Sequence, residues 1–142
     1  MKHFLDANVF MYAAGRAHPF KSPSVAVLRR VAREELEAAT DTEVLQEILY
    51  RYAAIGESAR GLHLARLAVA QVAGDVLPVT LADMQRAFDL VARYGTRIRS
   101  RDAVHAATML NNGLSHIVST DTHFDLIEGI IRIDPRKAGG TR

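Results

Sequence analysis

Short apolar runs along the chain alternate with longer segments whose apolar residues recur at helical spacing. The runs at residues 4–5, 38–40, 76–79, 116–119 and 130–133 predict strands. The periodic segments at residues 9–12, 25–36, 43–54, 57–73, 81–94 and 102–110 predict helices, with a loop at 16–23. Strands separated by helices are typical of a parallel sheet covered on both faces. The pattern therefore predicts one three-layer α/β/α domain.

Length and composition limit the class of protein. A chain of 142 residues fits a single domain, which we expect at 1–135, followed by a flexible basic tail at 136–142. The absence of cysteine excludes a disulfide framework and a Cys-based zinc site. No apolar run reaches the ~18 residues of a membrane span, and the amino terminus lacks a signal-peptide pattern. We therefore expect a cytoplasmic protein that binds no membrane.

The basic residues are mostly arginine. Lys occupies only positions 2, 21 and 137 among 18 basic residues, which leaves 15 Arg. Arg binds phosphates in a bidentate manner, which suits nucleic acid, but a GC-rich genome produces the same bias. Composition alone therefore decides nothing.

Two acids follow directly after predicted strands. Asp6 follows the first apolar run. Asp121 comes two residues after Ser119, the last residue of the run at 116–119, with Thr120 between them. Open α/β sheets bind ligands at the carboxyl ends of their strands, so both acids are expected at one rim of the sheet. Asp6 is equally suited to cap the helix that follows it.

Helical geometry ranks the acids between them. Glu43 lies opposite the apolar stripe of its helix, whereas Glu47 lies at about 130° from the centre of that stripe and is the better cleft candidate. Asp102 lies at about 90°, at the edge of the buried face, where capping or helix-dipole stabilisation is an equal alternative. His105 points away from the apolar stripe and is predicted to be a surface residue.

Four acids at one rim repel each other unless a cation lies among them. Oxygen ligands without Cys or paired His favour Mg²⁺ or Mn²⁺ over zinc. Such ions promote attack on a phosphodiester, so metal-dependent nucleic-acid hydrolysis is the leading chemistry.

Four segments together resemble the PIN-domain family, in particular VapC-type toxins of toxin–antitoxin pairs: FLDANVFMYA, VLQEILYRY, SRDAVHAATML and IVSTDTHFDLIEG. The resemblance covers residues 2–135. It implies a five-stranded parallel sheet between helices, an acidic cleft at the carboxyl ends of the strands, and Mg²⁺- or Mn²⁺-dependent endoribonuclease activity.

The resemblance also implies a set of site residues. The family's four acids match, in order, Asp6, Glu47, Asp102 and Asp121. The first, third and fourth acids are expected to bind the metal, while the second completes the shell or orients the attacking water. The resemblance further implies a 5′-phosphate and a 3′-hydroxyl as products.

Four further positions near these acids were assigned from the same match. Asn8 and Thr120 match polar positions that support the acids. His123 stands where many relatives have a further Asp, which leaves that wall of the cleft less acidic. Asp125 either compensates for this loss or is a surface residue.

Partners follow from the same resemblance: an RNA substrate, a second copy of the chain, and a small antitoxin that covers the cleft. An arginine cluster before Asp102 either steers RNA phosphates or forms an ordinary solvated loop: Arg97, Arg99 and Arg101. An apolar set either forms an antitoxin groove or packs in the core: Tyr50, Tyr52, Leu62, Leu64, Leu67 and Val69.

Two alternatives stay open from the sequence. A haloacid-dehalogenase-type phosphatase or a receiver domain also places an Asp after its first strand. Such a phosphatase has a second Asp where this chain has Asn8, and both folds need a Lys near the cleft. The other alternative is a PIN-like binding module that no longer holds metal. The RNA target does not follow from the sequence.

Overall fold

The computed structural model describes residues 1–139, which fold into one parallel sheet flanked by helices. The strands are β1 (Lys2–Leu5), β2 (Glu37–Asp41), β3 (Val76–Leu77), β4 (His116–Val118) and β5 (Ile131–Ile133). The helices are α1 (Ala7–Ala14), α2 (Lys21–Ala32), α3 (Thr42–Ala54), α4 (Ser58–Gln71), α5 (Leu81–Tyr94), α6 (Ser100–Asn111) and α7 (Pro135–Ala138). Single 3₁₀ segments cover Gly95–Arg97 and Thr122–Leu126. The predicted five-stranded parallel sheet is confirmed.

The strand order β3-β2-β1-β4-β5 places β1 at the centre of the sheet. Phe4 pairs with Ala39 of β2 on one side and with Ile117 of β4 on the other. β2 and β3 are therefore added on one side of β1, and β4 and β5 are added on the other side. Because parallel crossovers are right-handed, the reversal puts the earlier and later crossover helices on opposite faces of the sheet. The gap between β1 and β4 is therefore the switch point where such sheets bind ligands.

The centre of the sheet is buried on both faces. Phe4, Leu5, Ile117 and Val118 have essentially no exposed surface. Such continuous apolar runs are expected when helices cover both faces of a parallel sheet. The buried centre fixes the positions of the residues that immediately follow β1 and β4.

Most element boundaries agree with the sequence patterns. The helix predicted over 25–36 ends earlier, at Ala32, because Glu34 adopts a positive φ of 58° that interrupts the helix. Two further exceptions involve proline. Residues 16–23 were predicted as a loop, but α2 already begins at Lys21 and includes Pro23. That part of the prediction was wrong because proline is tolerated in the first turn of a helix, where its missing N–H has no helical partner. Strand β3 ends at Leu77, just before Pro78, which cannot donate to a ladder.

The predicted basic tail divides into two parts. Residues 136–138 lie in α7, where Ala138 is buried and its carbonyl accepts a 2.9 Å hydrogen bond from Arg30 of α2. Residues 140–142 lie outside the described residues, so the domain boundary stays a prediction. Within residues 1–139, every helix is too short or too polar to cross a bilayer.

Candidate active site

An acidic cavity of about 290 Å³ opens at the switch point between β1 and β4. The structure brings all four predicted acids into its wall. They come from the end of β1, from α3, from the first turn of α6 and from the loop after β4: Asp6, Glu47, Asp102 and Asp121. Glu43 is only half-buried and lies outside the wall, as the helical geometry indicated.

Asp6 has both of the roles that the sequence left open. It is the N-cap of α1, and its Oδ1 accepts a 2.8 Å hydrogen bond from the Ala7 amide. The same carboxylate is 5% exposed and lines the cavity. Burial raises the pKa of Asp6, and the nearby Glu47 carboxylate adds to the rise, while His105 and the Ser119 hydroxyl oppose it. A capping position therefore does not exclude a site role.

Ser119 joins the first and fourth acids and was missed in the sequence analysis. Its hydroxyl donates a 2.6 Å hydrogen bond to Oδ2 of Asp6 and accepts one of 3.0 Å from the Asp121 amide. Asn8 donates to the same Asp6 oxygen at 3.1 Å and accepts from the Thr120 amide at 3.3 Å. The Thr120 residue lines the cavity, but the hydroxyl that holds Asp6 belongs to Ser119. Two hydroxyl residues, Ser119 and Thr120, precede Asp121 in the sequence. Because side chains of an extended segment alternate in direction, only one of the two hydroxyls could have been expected to face Asp6.

Asp102 is strongly perturbed by its surroundings. It is 2% exposed, and burial, followed by the charge of Asp121, raises its pKa to about 6. Its Oδ2 accepts a 3.1 Å hydrogen bond from the Arg99 amide, which holds the carboxylate at the start of α6. The raised pKa reflects a carboxylate that is costly to ionise without a nearby cation.

Glu47 is held between arginines. Its Oε2 lies 3.4 Å from Nε of Arg101 and 3.6 Å from a terminal nitrogen of Arg51. Burial favours the protonated form, but His105 and these arginines outweigh it and keep the pKa of Glu47 below its usual value. The other oxygen, Oε1, is buried and has no hydrogen-bond partner within residues 1–139.

His105 was predicted to be a surface residue, and this prediction was wrong. Its side chain is completely buried, because the amino-terminal half of α6 is covered on more than one side and not only along its alanine stripe. Nδ1 lies 2.8 Å from Oδ2 of Asp41, the last residue of β2. Burial disfavours a charged ring, but Asp41, with Glu47 and Asp6 nearby, raises the pKa of His105 well above its usual value.

Asp41 was also missed as a site-associated residue. It is fully buried, and its Oδ1 caps α3 by accepting a 2.9 Å hydrogen bond from the Val44 amide. The signal was present in the sequence, since Asp41 follows a predicted strand in the same way as Asp6 and Asp121.

Asp121 is held by the residue that departs from the family pattern. Its Oδ1 accepts hydrogen bonds from the amide of His123 at 2.9 Å and from the ring nitrogen Nδ1 of His123 at 2.6 Å. Burial opposes ionisation, but these bonds keep the pKa of Asp121 below its usual value. Asp125 lies outside the cavity wall and pairs with Arg132 at 2.9 Å.

The three predicted RNA-contacting arginines occupy different places. Arg99 and Arg101 line the cavity. Arg97 instead donates to the carbonyls of Arg93 and Tyr94 at the end of α5 and lies over the Tyr94 ring. Only the first two face the acids.

The predicted apolar groove is partly buried. Tyr52 and Leu64 belong to the core, whereas three of its members are largely exposed: Tyr50, Leu62 and Leu67. A separate cavity of about 690 Å³ between α1, α3 and α4 shares Tyr12 and Arg51 with the acidic cavity.

The donor set of the cavity fits a divalent cation. Carboxylate oxygens are the preferred ligands of Mg²⁺ and Mn²⁺. The buried, unpartnered Oε1 of Glu47 and the raised pKa of Asp102 both indicate crowded carboxylates that a cation would stabilise. The protein thus offers a wall of oxygen ligands with arginines at its edge.

Sequence comparisons identify relatives over nearly the whole chain. A VapC ribonuclease of Mycobacterium bovis and Ribonuclease VapC13 of Mycobacterium tuberculosis are each 36% identical over 129 residues, covering 91% of this chain and 97% of each relative. Ribonuclease VapC23 of Mycobacterium tuberculosis is 32% identical over 118 residues, covering 83% of this chain and 91% of the relative.

Solved structures show the same fold at low sequence identity. FitAcB from Neisseria gonorrhoeae superposes with a TM-score of 0.73 at 22% identity, over 95% of this chain and 98% of that chain. VapBC2 from Rickettsia felis, bound to a DNA fragment from its promoter, gives a TM-score of 0.71 at 14% identity, over 94% and 98% of the two chains. A family model described as PIN domain matches residues 3–130. This protein is therefore a member of the PIN-domain family, and its near relatives in sequence are VapC proteins.

Proposed function

We propose that the protein is a Mg²⁺- or Mn²⁺-dependent endoribonuclease that acts as the toxin of a type II toxin–antitoxin pair. The convergence of four carboxylates from separate segments in one cavity is the observation that carries this proposal. The curated relatives are named ribonucleases, which supports RNA as the substrate.

The four acids have distinct roles in the proposed reaction. Asp6 and Asp102 would hold the cation most directly, with Asp121 contributing directly or through water. A divalent cation in such a site supplies Lewis acidity toward the scissile phosphate. Glu47 completes the shell or orients the attacking water. We propose hydrolysis to a 5′-phosphate and a 3′-hydroxyl.

The polar residues around the acids serve positioning and charge neutralisation. Ser119 and Asn8 fix the Asp6 carboxylate through two hydrogen bonds to Oδ2. Arg99 and Arg101 at the cavity wall attract the phosphates that flank the scissile bond. The acids alone would repel a polyanion, so the arginines are part of substrate binding.

The alternative enzyme class lacks a required residue in the cavity. A phosphatase or receiver site needs a Lys beside the acids. Within residues 1–139, Lys2 pairs with Asp75, Lys21 donates to the carbonyls of Ala13 and Gly15, and Lys137 lies in α7. None of them lines the acidic cavity, which supports the nuclease proposal.

A toxin of this kind needs a partner that blocks it. Two of the similar solved structures are a VapBC complex and a toxin–antitoxin complex from Klebsiella pneumoniae. We propose that an antitoxin segment occupies the 690 Å³ cavity, since this cavity adjoins the acidic one at Tyr12 and Arg51. We also propose a homodimer, in which the exposed apolar residues Leu81, Phe88 and Val91 of α5 become covered.

The test compares cleavage of a mixed RNA pool by the wild type and two variants. Asp6→Asn should abolish Mg²⁺- and Mn²⁺-dependent cleavage, because it removes a ligand charge while retaining an acceptor oxygen for Ala7. The matched control Asp89→Asn changes an exposed acid of α5 and should cleave like the wild type. Full activity of Asp6→Asn, or no metal-dependent cleavage by the wild type, would contradict the proposal. Release of phosphate from a small phosphomonoester would favour the phosphatase, and binding without cleavage would favour a binding module.

A further inference from the structure

Two buried atoms without hydrogen-bond partners face each other behind the part of the acidic cavity's wall that Asp6 and Glu47 form. Nε2 of His105 lies 3.8 Å from Oε1 of Glu47, and neither atom has a partner within residues 1–139. Nε2 also lies 3.8 Å from Oδ1 of Asp6. All three residues are more than nine-tenths buried. A buried polar atom without a partner has lost its hydrogen bonds to water without replacement, so this cluster points to a ligand that its members share.

The remaining oxygens of the two acids are already occupied. Oδ2 of Asp6 accepts from Ser119, and Oε2 of Glu47 faces Arg101. Glu47 therefore directs its unpartnered oxygen toward His105, and Asp6 directs Oδ1, which accepts only from the Ala7 amide. The three atoms that converge are one nitrogen and two oxygens.

Asp41 fixes the orientation and the tautomer of the imidazole. Its Oδ1 is engaged with the Val44 amide, and its Oδ2 accepts from Nδ1 of His105 at 2.8 Å. A proton therefore lies on Nδ1, and Nε2 points toward the two acids, to which it presents a lone pair once its own proton is lost. The ring also packs against Phe4, with 5.4 Å between ring centroids. A carboxylate behind the far nitrogen of a histidine is the usual support of a metal-bound imidazole.

We propose that Asp6, Glu47 and His105 form a divalent-metal site with one nitrogen and two oxygen ligands, selective for Mn²⁺ or another imidazole-binding cation over Mg²⁺. This inference deepens the proposed function and rests on the cavity holding a divalent cation. The three ligand atoms lie within 4.8 Å of one another. Nε2 lies 3.8 Å from each of the two oxygens, and small side-chain shifts would bring all three atoms within bonding distance of one cation. Imidazole nitrogen is a ligand of transition-metal cations, whereas Mg²⁺ prefers oxygen.

The competing occupant of Nε2 is a proton. An imidazolium at this position would neutralise the buried acids without a metal, as a purely structural counter-ion. A second group of possible ligands at the cavity edge is formed by Asp102, Asp121 and His123. The experiment must therefore show both that a nitrogen is bound and which histidine supplies it.

The test uses the full-length protein, stripped of metal and loaded with Mn²⁺ in the absence of RNA. Pulsed electron paramagnetic resonance should detect an imidazole nitrogen coupled to Mn²⁺, and ¹⁵N-histidine labelling should change that signal. His105→Gln should lose the coupling and bind Mn²⁺ about 10- to 100-fold more weakly, while Mg²⁺ affinity changes by only a few-fold. The matched control His123→Gln should retain the coupling.

Three outcomes would overturn the site. Mn²⁺ binding without nitrogen coupling leaves the proposed nuclease intact but removes His105 as a ligand. Loss of coupling only in His123→Gln assigns the nitrogen to the cavity edge. Absence of Mn²⁺ binding with retained Mg²⁺ binding defeats the site alone, and absence of binding of either ion defeats both proposals. If His105→Gln fails to fold, ¹⁵N NMR spectra of the Zn²⁺-loaded wild type show whether Nε2 binds metal. A metal-bound Nε2 has no attached hydrogen, whereas the Nε2 of an imidazolium has one, and that result would overturn the site.

Discussion

Replacing Asp102 by Asn tests whether the charge that metal binding requires at this position destabilises the folded protein. Asp102 is 2% exposed, and its pKa is raised from 3.8 to about 6. The folded protein thus binds this proton more tightly than the unfolded chain. The contribution of Asp102 to stability is therefore present below pH 3.8 and is lost as the pH rises through about 6.

The size of the effect follows from the shift. About two pKa units correspond to about 3 kcal/mol over the whole range, of which about 1.4 kcal/mol falls between about pH 5 and about pH 7.5. Asn carries no charge and keeps an oxygen for the Arg99 amide. We therefore expect Asp102→Asn to gain stability relative to the wild type by about 1.4 kcal/mol on going from the lower to the higher pH.

Urea unfolding followed by circular dichroism, with EDTA present, measures this difference. Asp89→Asn serves as the control for removing a surface charge, and its stability should follow the wild type at both pH values. Adding Mg²⁺ at about 100-fold above its dissociation constant should stabilise the wild type by about 2.7 kcal/mol and Asp102→Asn by clearly less. Parallel pH dependences of the wild type and Asp102→Asn would refute the inference that Asp102 is a strained carboxylate.

Three further variants test residues around the site and the packing of α4 against α3. Ser119→Ala should lower stability by about 1–3 kcal/mol in urea unfolding and reduce RNA cleavage, because Asp6 and the Asp121 amide lose a partner; unchanged values would deny Ser119 a linking role. Gly61→Ala should lower the free energy of unfolding by about 1–3 kcal/mol, since its Cβ would lie 2.7 Å from Cβ of Tyr52; a more stable variant would show that helix propensity wins. In the Asp6→Asn background, which binds RNA without cleaving it, Arg101→Ala should remove one phosphate contact. The slope of log binding constant against log salt concentration should therefore become shallower by about one. The same slope for Arg101→Ala and the background variant would exclude Arg101 as a phosphate contact.

The sequence predicted the parts of the site that depend on regular geometry. Asp6 and Asp121 were located because acids after strands of a parallel sheet meet at one rim. Glu47 was separated from Glu43 by helical angles alone. The functional roles of these acids stay predictions that the variants above test.

The parts that were missed depend on contacts between distant segments. The pairing of His105 with Asp41 joins α6 to β2 across 64 positions, and no local periodicity contains it. His105 was misplaced because the periodicity of one helix reports a single apolar face, whereas α6 is covered on several sides. Ser119 was overlooked because its hydroxyl matters only through Asp6, 113 positions away.

The strand order also determines when the acidic cavity can form during synthesis of the chain. β1 leaves the ribosome first, but Phe4 meets Ile117 of β4 only after more than a hundred further residues have been made. The contact is highly non-local, so the cavity cannot assemble on a partly made chain. Prematurely terminated chains that lack β4 contain Asp6, Glu47 and Asp102 but no wall to hold them together. We therefore expect the proposed activity only from chains that extend past β4, and a partner made at the same time has that interval in which to accumulate.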